Sequence, residues 1–239
     1  MDRMQKINPN SPPRIAVVIT DKVANAWIRK RHVDLLEERV DLYRRLDLGH
    51  IENIIRQRRK LGIPMILTVR NQKAEGGSRK ITDKQKLAIF ERIISLGDAV
   101  DVELSSPLLP ELTHLAREKN KTCIISFHNF RLTPDDSSLE RILHDAQKQK
   151  ADIVKIAVKA NTLGDVGRLI AFTVQNKAER IVTMSIGELG KVSRLVLPAV
   201  GSLWTYSFVG QPSAPGQVPL KILQEHFSFY YPSYSNTRL

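Results

Sequence analysis

Eight short runs rich in branched aliphatic residues recur along this chain, each separated from the next by a stretch patterned as helix. They are RIAVVIT (14–20), VDLLEERVD (33–41), PMILTVR (64–70), AVDVEL (99–104), TCIISFH (122–128), ADIVKIAV (151–158), RIVTMSI (180–186) and GSLWTYSF (201–208). Strands alternating with helices build parallel βαβ units, because a parallel neighbour needs a long crossover and a helix supplies it. At 239 residues, eight such units fit one α/β domain, a (β/α)8 TIM barrel over 1–239, with 1–13 as an N-terminal extension and 226–239 as a C-terminal tail. A doubly wound open sheet is the second choice. It would normally carry a glycine-rich phosphate turn after its first strand. Here that strand runs into TDKVANAW, which has no glycine, and no G-x-G-x-x-G occurs anywhere.

The helix signals between the runs are local. In ITDKQKLAIFERIISLGD, Thr82 is placed to cap and Gln85 to complete a capping box, with Gly97 as the stop. In TPDDSSLERILHDAQKQK, Thr133 reads as the cap and Pro134 as the first helical residue, ahead of an acidic first turn. SSPLLPELTHLAREK opens on Ser and Pro and continues with apolar residues three and four apart.

Side chains alternate across a strand, so each run has two faces. In ADIVKIAV, Val154, Ile156 and Val158 share one face, and Ile153, Lys155 and Ala157 the other. The same split sets Met65, Leu67 and Val69 against Ile66, Thr68 and Arg70, and Cys123, Ile125 and Phe127 against Ile124, Ser126 and His128. Asp101 and Glu103 oppose Val102 and Leu104, and Glu37 and Arg39 oppose Leu36 and Val40, with Glu38 out of place on the apolar face. With the apolar rows toward the helices, the barrel interior receives Glu37, Arg39, Arg70, Glu103, His128 and Lys155. A parallel sheet covered on both sides should read as continuous apolar runs, and this one does not. The polar residues also gather toward the C-terminal strand ends, where barrel active sites are built.

An inward lysine has two readings. It balances a buried carboxylate, Glu103 or Glu37, or it is a nucleophile. Desolvation and the nearby cations Arg39 and Arg70 are expected to lower its pKa, and a neutral amine attacks a ketone to form a Schiff base. The protonated imine acidifies the adjacent carbon, and His128, titrating near neutrality, suits the proton transfer.

Charge and cysteine narrow the classes further. With 37 basic and 25 acidic side chains the chain carries +12. Much of the excess sits in helical stretches such as IRQRRKLG, and a positive field also gathers small anions. Nucleic-acid binding is the weakest reading, since no aromatic-interleaved basic segment and no nucleic-acid signature is present. Cys123 is the single cysteine, which suits a reducing cytoplasm. MDRMQKINPNSPP has no apolar core of a signal peptide, and no apolar run approaches the ~20 residues that span a bilayer. We therefore expect no membrane and no nucleic-acid partner.

The order of these residues resembles type I 3-dehydroquinate dehydratase, a Schiff-base lyase of the shikimate pathway of aromatic amino acid biosynthesis. The likeness runs over roughly residues 14 to 218. It is carried by EERVD (37–41), TVRNQKAEGG (68–77), DVEL (101–104), SFHNF with TP (126–130, 133–134), ADIVKIAV, TMSIGELGKVSRL (183–195) and SAPGQV (213–218). The resemblance implies a (β/α)8 barrel that converts 3-dehydroquinate, a small anion, to 3-dehydroshikimate with no metal and no organic cofactor, and it allows a homodimer. It implies Lys155 as the imine-forming lysine, His128 as the acid/base and Glu75 as the carboxylate that orients and tunes it. It further implies Arg194 on the substrate carboxylate, Glu37, Arg39 and Arg70 around the ring hydroxyls, and Ser213 and Gln217 in a loop that closes over the substrate. Arg194 on its own reads as a helix-surface arginine. The chain departs from the family pattern at Asn129, where Asp is usual, and at Glu38, where an apolar or aromatic residue is common. One extra residue also separates Arg70 from the EGG turn. A class I aldolase-type Schiff-base barrel is the main alternative. It would share the lysine without requiring the histidine on the preceding strand.

Overall fold

The structure is a computed structural model. It describes Met4, Ile7, residues 12–71, Gly77, 79–212 and 214–236. Eight parallel strands form the barrel: β1 (Ile15–Ile19), β2 (Leu35–Arg39), β3 (Met65–Thr68), β4 (Ala99–Glu103), β5 (Thr122–Asn129), β6 (Ile153–Lys159), β7 (Ile181–Ile186) and β8 (Thr205–Phe208). Seven helices follow β1 to β7 in turn: α1 (Asn25–Arg29), α2 (Leu48–Arg59), α3 (Asp83–Ile93), α4 (Leu109–Glu118), α5 (Asp136–Lys148), α6 (Leu163–Gln175) and α7 (Ser193–Val200). A two-residue strand β9 (Val218–Pro219) pairs beside β8, and α8 (Leu220–Tyr230) and α9 (Pro232–Asn236) end the chain. Hydrogen-bonded neighbours run β7-β6-β5-β4-β3-β2-β1-β8-β9. The seam between β7 and the segment entering β8 is crossed by Leu203 N–H donating to Ile181 O at 2.9 Å and Thr183 N–H donating to Ser202 Oγ at 3.0 Å.

All eight expected strands are present, and the first choice of fold holds. Most runs lose a residue or more at their ends, and two lose the most, about half their expected length. Residues 40–42 tighten into a 3₁₀ turn at the end of β2, and 201–204 lead into β8 outside the regular strand. The period-two reading sorts the core into two shells. Val154, Ile156, Val158, Leu67, Val100 and Ile125 pack outward against the helices. Ile66, Ala99, Ile124, Ile153, Val182 and Trp204 fill the lower barrel. Met4 and Ile7 join that inner cluster, and their carbonyls accept from Arg180 Nη2 and Nη1, both at 3.0 Å. These two residues of the N-terminal extension thus close the bottom of the barrel.

The capping box at α3 forms as expected, with Thr82 and Gln85 satisfying each other's backbone donors. At α5 the expectation fails. Asp135, not Thr133, is the cap, and its carboxylate accepts from Ser138 N–H at 2.8 Å. Thr133 instead donates to Lys159 O at 2.9 Å, tying the β5–α5 loop to the end of β6. A charged cap three residues before a free N–H satisfies the orphan donor more strongly than a hydroxyl two positions earlier.

The misplaced Glu38 has a structural partner. It is fully buried between β2 and α2, accepting from Arg58 Nε at 2.8 Å and from the Tyr43 hydroxyl at 2.5 Å. Arg58 also donates to the carbonyls of Thr20 (2.9 Å) and Val23 and to Asn25 Oδ1, so one guanidinium fixes the whole β1–α1 loop. Burial raises the Glu38 pKa against the opposing pull of Arg58 and Tyr43. Replacing Arg58 by Met strands this carboxylate without a counter-charge. Urea unfolding should show R58M destabilised by about 3–5 kcal/mol, and a loss under 1 kcal/mol would show that the pair does not hold the loop.

Candidate active site

At the C-terminal end of the barrel a cleft of about 540 Å³, including its mouth, is lined by Glu37, Arg39, Arg70, His128, Lys155 and Arg194, with Tyr206, Met184, Phe130 and Gln217 between them. Strand alternation delivers most of these groups, because each polar side chain takes the same face as an apolar residue two places below it. Lys155 follows Ile153, Ser126 follows Ile124, Asp101 follows Ala99 and Thr68 follows Ile66. Parallel register then sets Ser126 opposite Lys155, Glu103 opposite Ser126, and Asp101 opposite Thr68.

Lys155 is 4% exposed, with its Nζ 2.8 Å from Asp101 Oδ2 and 3.6 Å from Glu37 Oε1. The ammonium also lies 4.4 Å from the centre of the Tyr206 ring, on its face. Burial alone would depress its pKa, but Asp101 and then Glu37 outweigh that and raise it above the ordinary lysine value. The expectation of a lysine lowered by Arg39 and Arg70 is therefore reversed. Arg70 opposes the charge without overcoming these carboxylates, and Arg39 is held by Asp41 in a two-pronged pair at 2.9 and 2.7 Å. Of the two expected carboxylate partners, Glu37 is near the amine, while Glu103 serves other groups.

Those groups are His128 and Arg70. Glu103 Oε2 lies 2.7 Å from His128 Nδ1, and Oε1 accepts from the His128 backbone N–H at 3.0 Å. Arg70 donates to Glu103 Oε2 at 2.9 Å and to Asp101 Oδ1 at 2.5 Å, locking the two carboxylates of β4 together. Glu103 thus orients the histidine from β4; Glu75, to which the resemblance gives an orienting role, lies outside the described residues. So does Ser213. Gln217 does line the cleft, with Oε1 accepting from Ala214 N–H at 3.2 Å. Its loop is seated on the end of β7: Gly187 N–H donates to Pro215 O at 3.2 Å, and Gly216 (φ +77°) packs so tightly on the Gly187 backbone that a Cβ would collide with it. Asn129 points away from the histidine, and its Oδ1 accepts from the backbone N–H groups of Arg131 and Leu132 at 2.9 and 3.1 Å.

Arg194 sits in the first turn of α7 and is 2% exposed, so it is not the surface arginine that its helix suggested. Its Nη1 lies 3.0 Å from Met184 Sδ, its Nε has no partner, and among the described residues no carboxylate pairs with it. Burial pushes its pKa down to about 10. A guanidinium held this way, aimed into a cleft, is short of one anion.

Sequence reasoning left out Asp101 as a site residue, although its alternation already put it on the inner face two residues before Glu103. Ser126, which donates to Asp101 Oδ1 at 2.6 Å, and Tyr206 were left out too. The signal for Tyr206 was its period-two relation to the barrel-filling Trp204. Among the described residues, no group of three or more His, Cys, Asp and Glu side chains is arranged to hold a metal, and no helix is long and apolar enough to cross a membrane.

The family model for type I 3-dehydroquinase matches residues 19–233. The chain belongs to this family. It is 34% identical over 220 residues to the 3-dehydroquinate dehydratase of a Hydrogenobaculum species, covering 91% of this chain and 99% of that one. The crystal structure of the Aquifex aeolicus 3-dehydroquinate dehydratase superposes with a TM-score of 0.81 at 34% identity, covering 91% and 99% of the two chains. That of the Clostridium difficile type I 3-dehydroquinate dehydratase, solved with covalently modified comenic acid, superposes with a TM-score of 0.84 at 28% identity and 95% coverage of both.

For His128, burial lowers the pKa first, Arg70 adds to this, and Glu103 pulls the other way without restoring it, so the ring titrates below 6.5. A histidine with a depressed native pKa contributes stability above its unfolded value, and that contribution is lost as pH falls through the native one. NMR titration of the His128 ring should therefore place its midpoint under 6.5. Glu103→Gln should move the midpoint lower still, and an upward move would contradict the assigned balance of charges.

Proposed function

We propose that this chain is a lyase that removes water from 3-dehydroquinate to give 3-dehydroshikimate, with Lys155 as the Schiff-base nucleophile. The single observation that carries the reading is the combination in one cleft of a buried strand lysine, a carboxylate-held histidine on the adjacent strand and an arginine without an anion. Arg194 takes the substrate carboxylate through two parallel charge-assisted bonds. That anchors the ring with its ketone toward Lys155 Nζ. Loss of the ketone oxygen as water leaves a protonated imine, which draws electrons from the neighbouring carbon. His128, neutral and oriented by Glu103, removes a proton from that C2 carbon and returns one to the hydroxyl leaving C1.

Glu37 and Arg39 line the rim where ring hydroxyls lie. Arg70, committed to Asp101 and Glu103, shapes the field more than it reaches for substrate. Ser213 and Gln217 belong to the segment that closes over the bound ring and excludes water from the imine. The class I aldolase alternative is disfavoured by the Glu103–His128 pair beside the lysine, an arrangement that proton transfer uses and carbon–carbon cleavage does not require. We place the enzyme in a reducing, cytoplasmic setting on the strength of its single cysteine, which is buried with its pKa pushed up to about 12. A homodimer is the assembly that the family likeness favours.

Borohydride added with dehydroquinate should leave a stable mass adduct on Lys155, and enone absorbance should rise without reductant. Lys155→Ala should lose both signals, whereas His128→Ala should keep the adduct and lose turnover by roughly 10²–10⁴-fold. A near-normal rate in H128A would refute the acid/base role. Arg194→Ala should act mainly on KM, raising it roughly tenfold to a hundredfold as one buried charge-assisted contact is removed. A loss confined to kcat would place this arginine at the reacting carbons instead.

A further inference from the structure

The lysine that captures the substrate is already paired, and its partner is not one of the residues that the family likeness assigned to the site. Asp101 Oδ2 accepts from Lys155 Nζ at 2.8 Å, against 3.6 Å for Glu37. The second oxygen of Asp101 is held by Arg70 at 2.5 Å and Ser126 Oγ at 2.6 Å. Asp101 is 1% exposed in the middle of β4, so neither its backbone nor its carboxylate has room to swing away. Glu37 is positioned differently. One of its oxygens takes the Thr68 hydroxyl at 2.8 Å and is also the atom nearest the lysine. The Tyr206 ring face completes the cage around the ammonium.

We infer that Asp101 is the fixed counter-ion of Lys155, pairing with its ammonium before substrate arrives and with the protonated imine afterwards. This deepens the dehydratase reading and rests on it. The charge balance makes one anion sufficient for both states. An ammonium R–NH3⁺ and a ketone give an iminium R–NH⁺=C and one water, so the nitrogen carries one positive charge at both ends. Two N–H hydrogens leave with the ketone oxygen. In between, attack requires the nitrogen lone pair, so one ammonium proton is parked elsewhere while the N–C bond forms. A second passes from nitrogen to the former carbonyl oxygen. The parked proton then returns to that hydroxyl as it departs. Neutral His128, in the same cleft, is the acceptor suited to hold it. Asp101 is not, because Arg70 and Lys155 outweigh its burial and keep its carboxyl below the usual carboxylate range. Asp101 therefore stays ionised throughout and stabilises the cation as it is rebuilt on the substrate, without reorganising.

The test needs a readout that does not depend on dehydroquinate. Competitive labelling of Lys155 with acetic anhydride across pH, read by peptide mass spectrometry, reports the fraction of neutral amine. In the wild-type protein Lys155 should titrate above 10.5, the ordinary lysine value. In Asp101→Asn the titration should fall by at least one pH unit, and Asp101→Glu should restore much of it. Borohydride trapping with dehydroquinate should be slowed at least tenfold in D101N. A folded D101N with an unshifted labelling profile, or a wild-type Lys155 that titrates below 10.5, overturns the counter-ion assignment, and the second result needs no variant to fold. A wild-type protein that labels as expected but forms no adduct overturns the dehydratase reading and the imine half of the inference, and leaves the ion pair standing.

Discussion

The site depends on charges buried inside a barrel that would otherwise be filled with aliphatic side chains. An ion in such a place is tolerated only with a partner at hydrogen-bond distance. Among the described residues, four inner carboxylates (Glu37, Asp41, Asp101 and Glu103) face four inner cations (Arg39, Arg70, Lys155 and Arg194). The total is balanced but the pairing is not. Arg39 takes Asp41, Arg70 takes Asp101 and Glu103, and Lys155 takes Asp101 with Glu37 behind it. Arg194 is left with a sulfur contact and no anion. The cleft is therefore polarised, with spare positive charge at Arg194 and spare negative charge beside Lys155. In the proposed reading, a small ring with a carboxylate at one end and a ketone at the other completes both halves.

Rigidity follows from the same pairs. Arg70 links β3 to β4, Glu103 links β4 to the β5 histidine, and Asp101 links β4 to the β6 lysine. Reactive groups on four neighbouring strands are thus cross-tied through side chains as well as through the backbone ladder. The loops above are tied separately: Arg58 and Glu38 fix the β1–α1 loop from the helix side, and Gly187 and Gly216 let the segment after β8 press onto the end of β7. Chemistry that needs a carbon, an amine and an imidazole in register gains from a scaffold in which none of the three moves independently.

Much of this was legible in the sequence where the controlling interaction is local. Period-two alternation put Lys155, His128, Glu103 and Arg70 on the inner face, and the Thr82–Gln85 box was visible as a four-residue pattern. Where the control is distant, the reading failed in understandable ways. Lys155 looked like a depressed amine because desolvation and the inward-facing Arg39 and Arg70 both act in that direction. The group that reverses the sign, Asp101, lies 54 residues away in the chain. Glu38 looked like an error of patterning because Arg58 reaches it from a helix 20 residues on. Thr133 looked like a cap until Lys159 O, 26 residues on, gave its hydroxyl another use.

The sequence by itself determined the strand and helix order, which face of each strand turns inward and the family to which the chain belongs, because these depend on spacing and on residue identity. Only the tertiary structure decided which charge neutralises which, that carboxylates rather than arginines stand nearest the lysine, and that Arg194 is buried without an anion. Those outcomes depend on distances of 3 to 4 Å between groups on different strands. Coulomb attraction and desolvation both change steeply over that range, and no one-dimensional pattern encodes it.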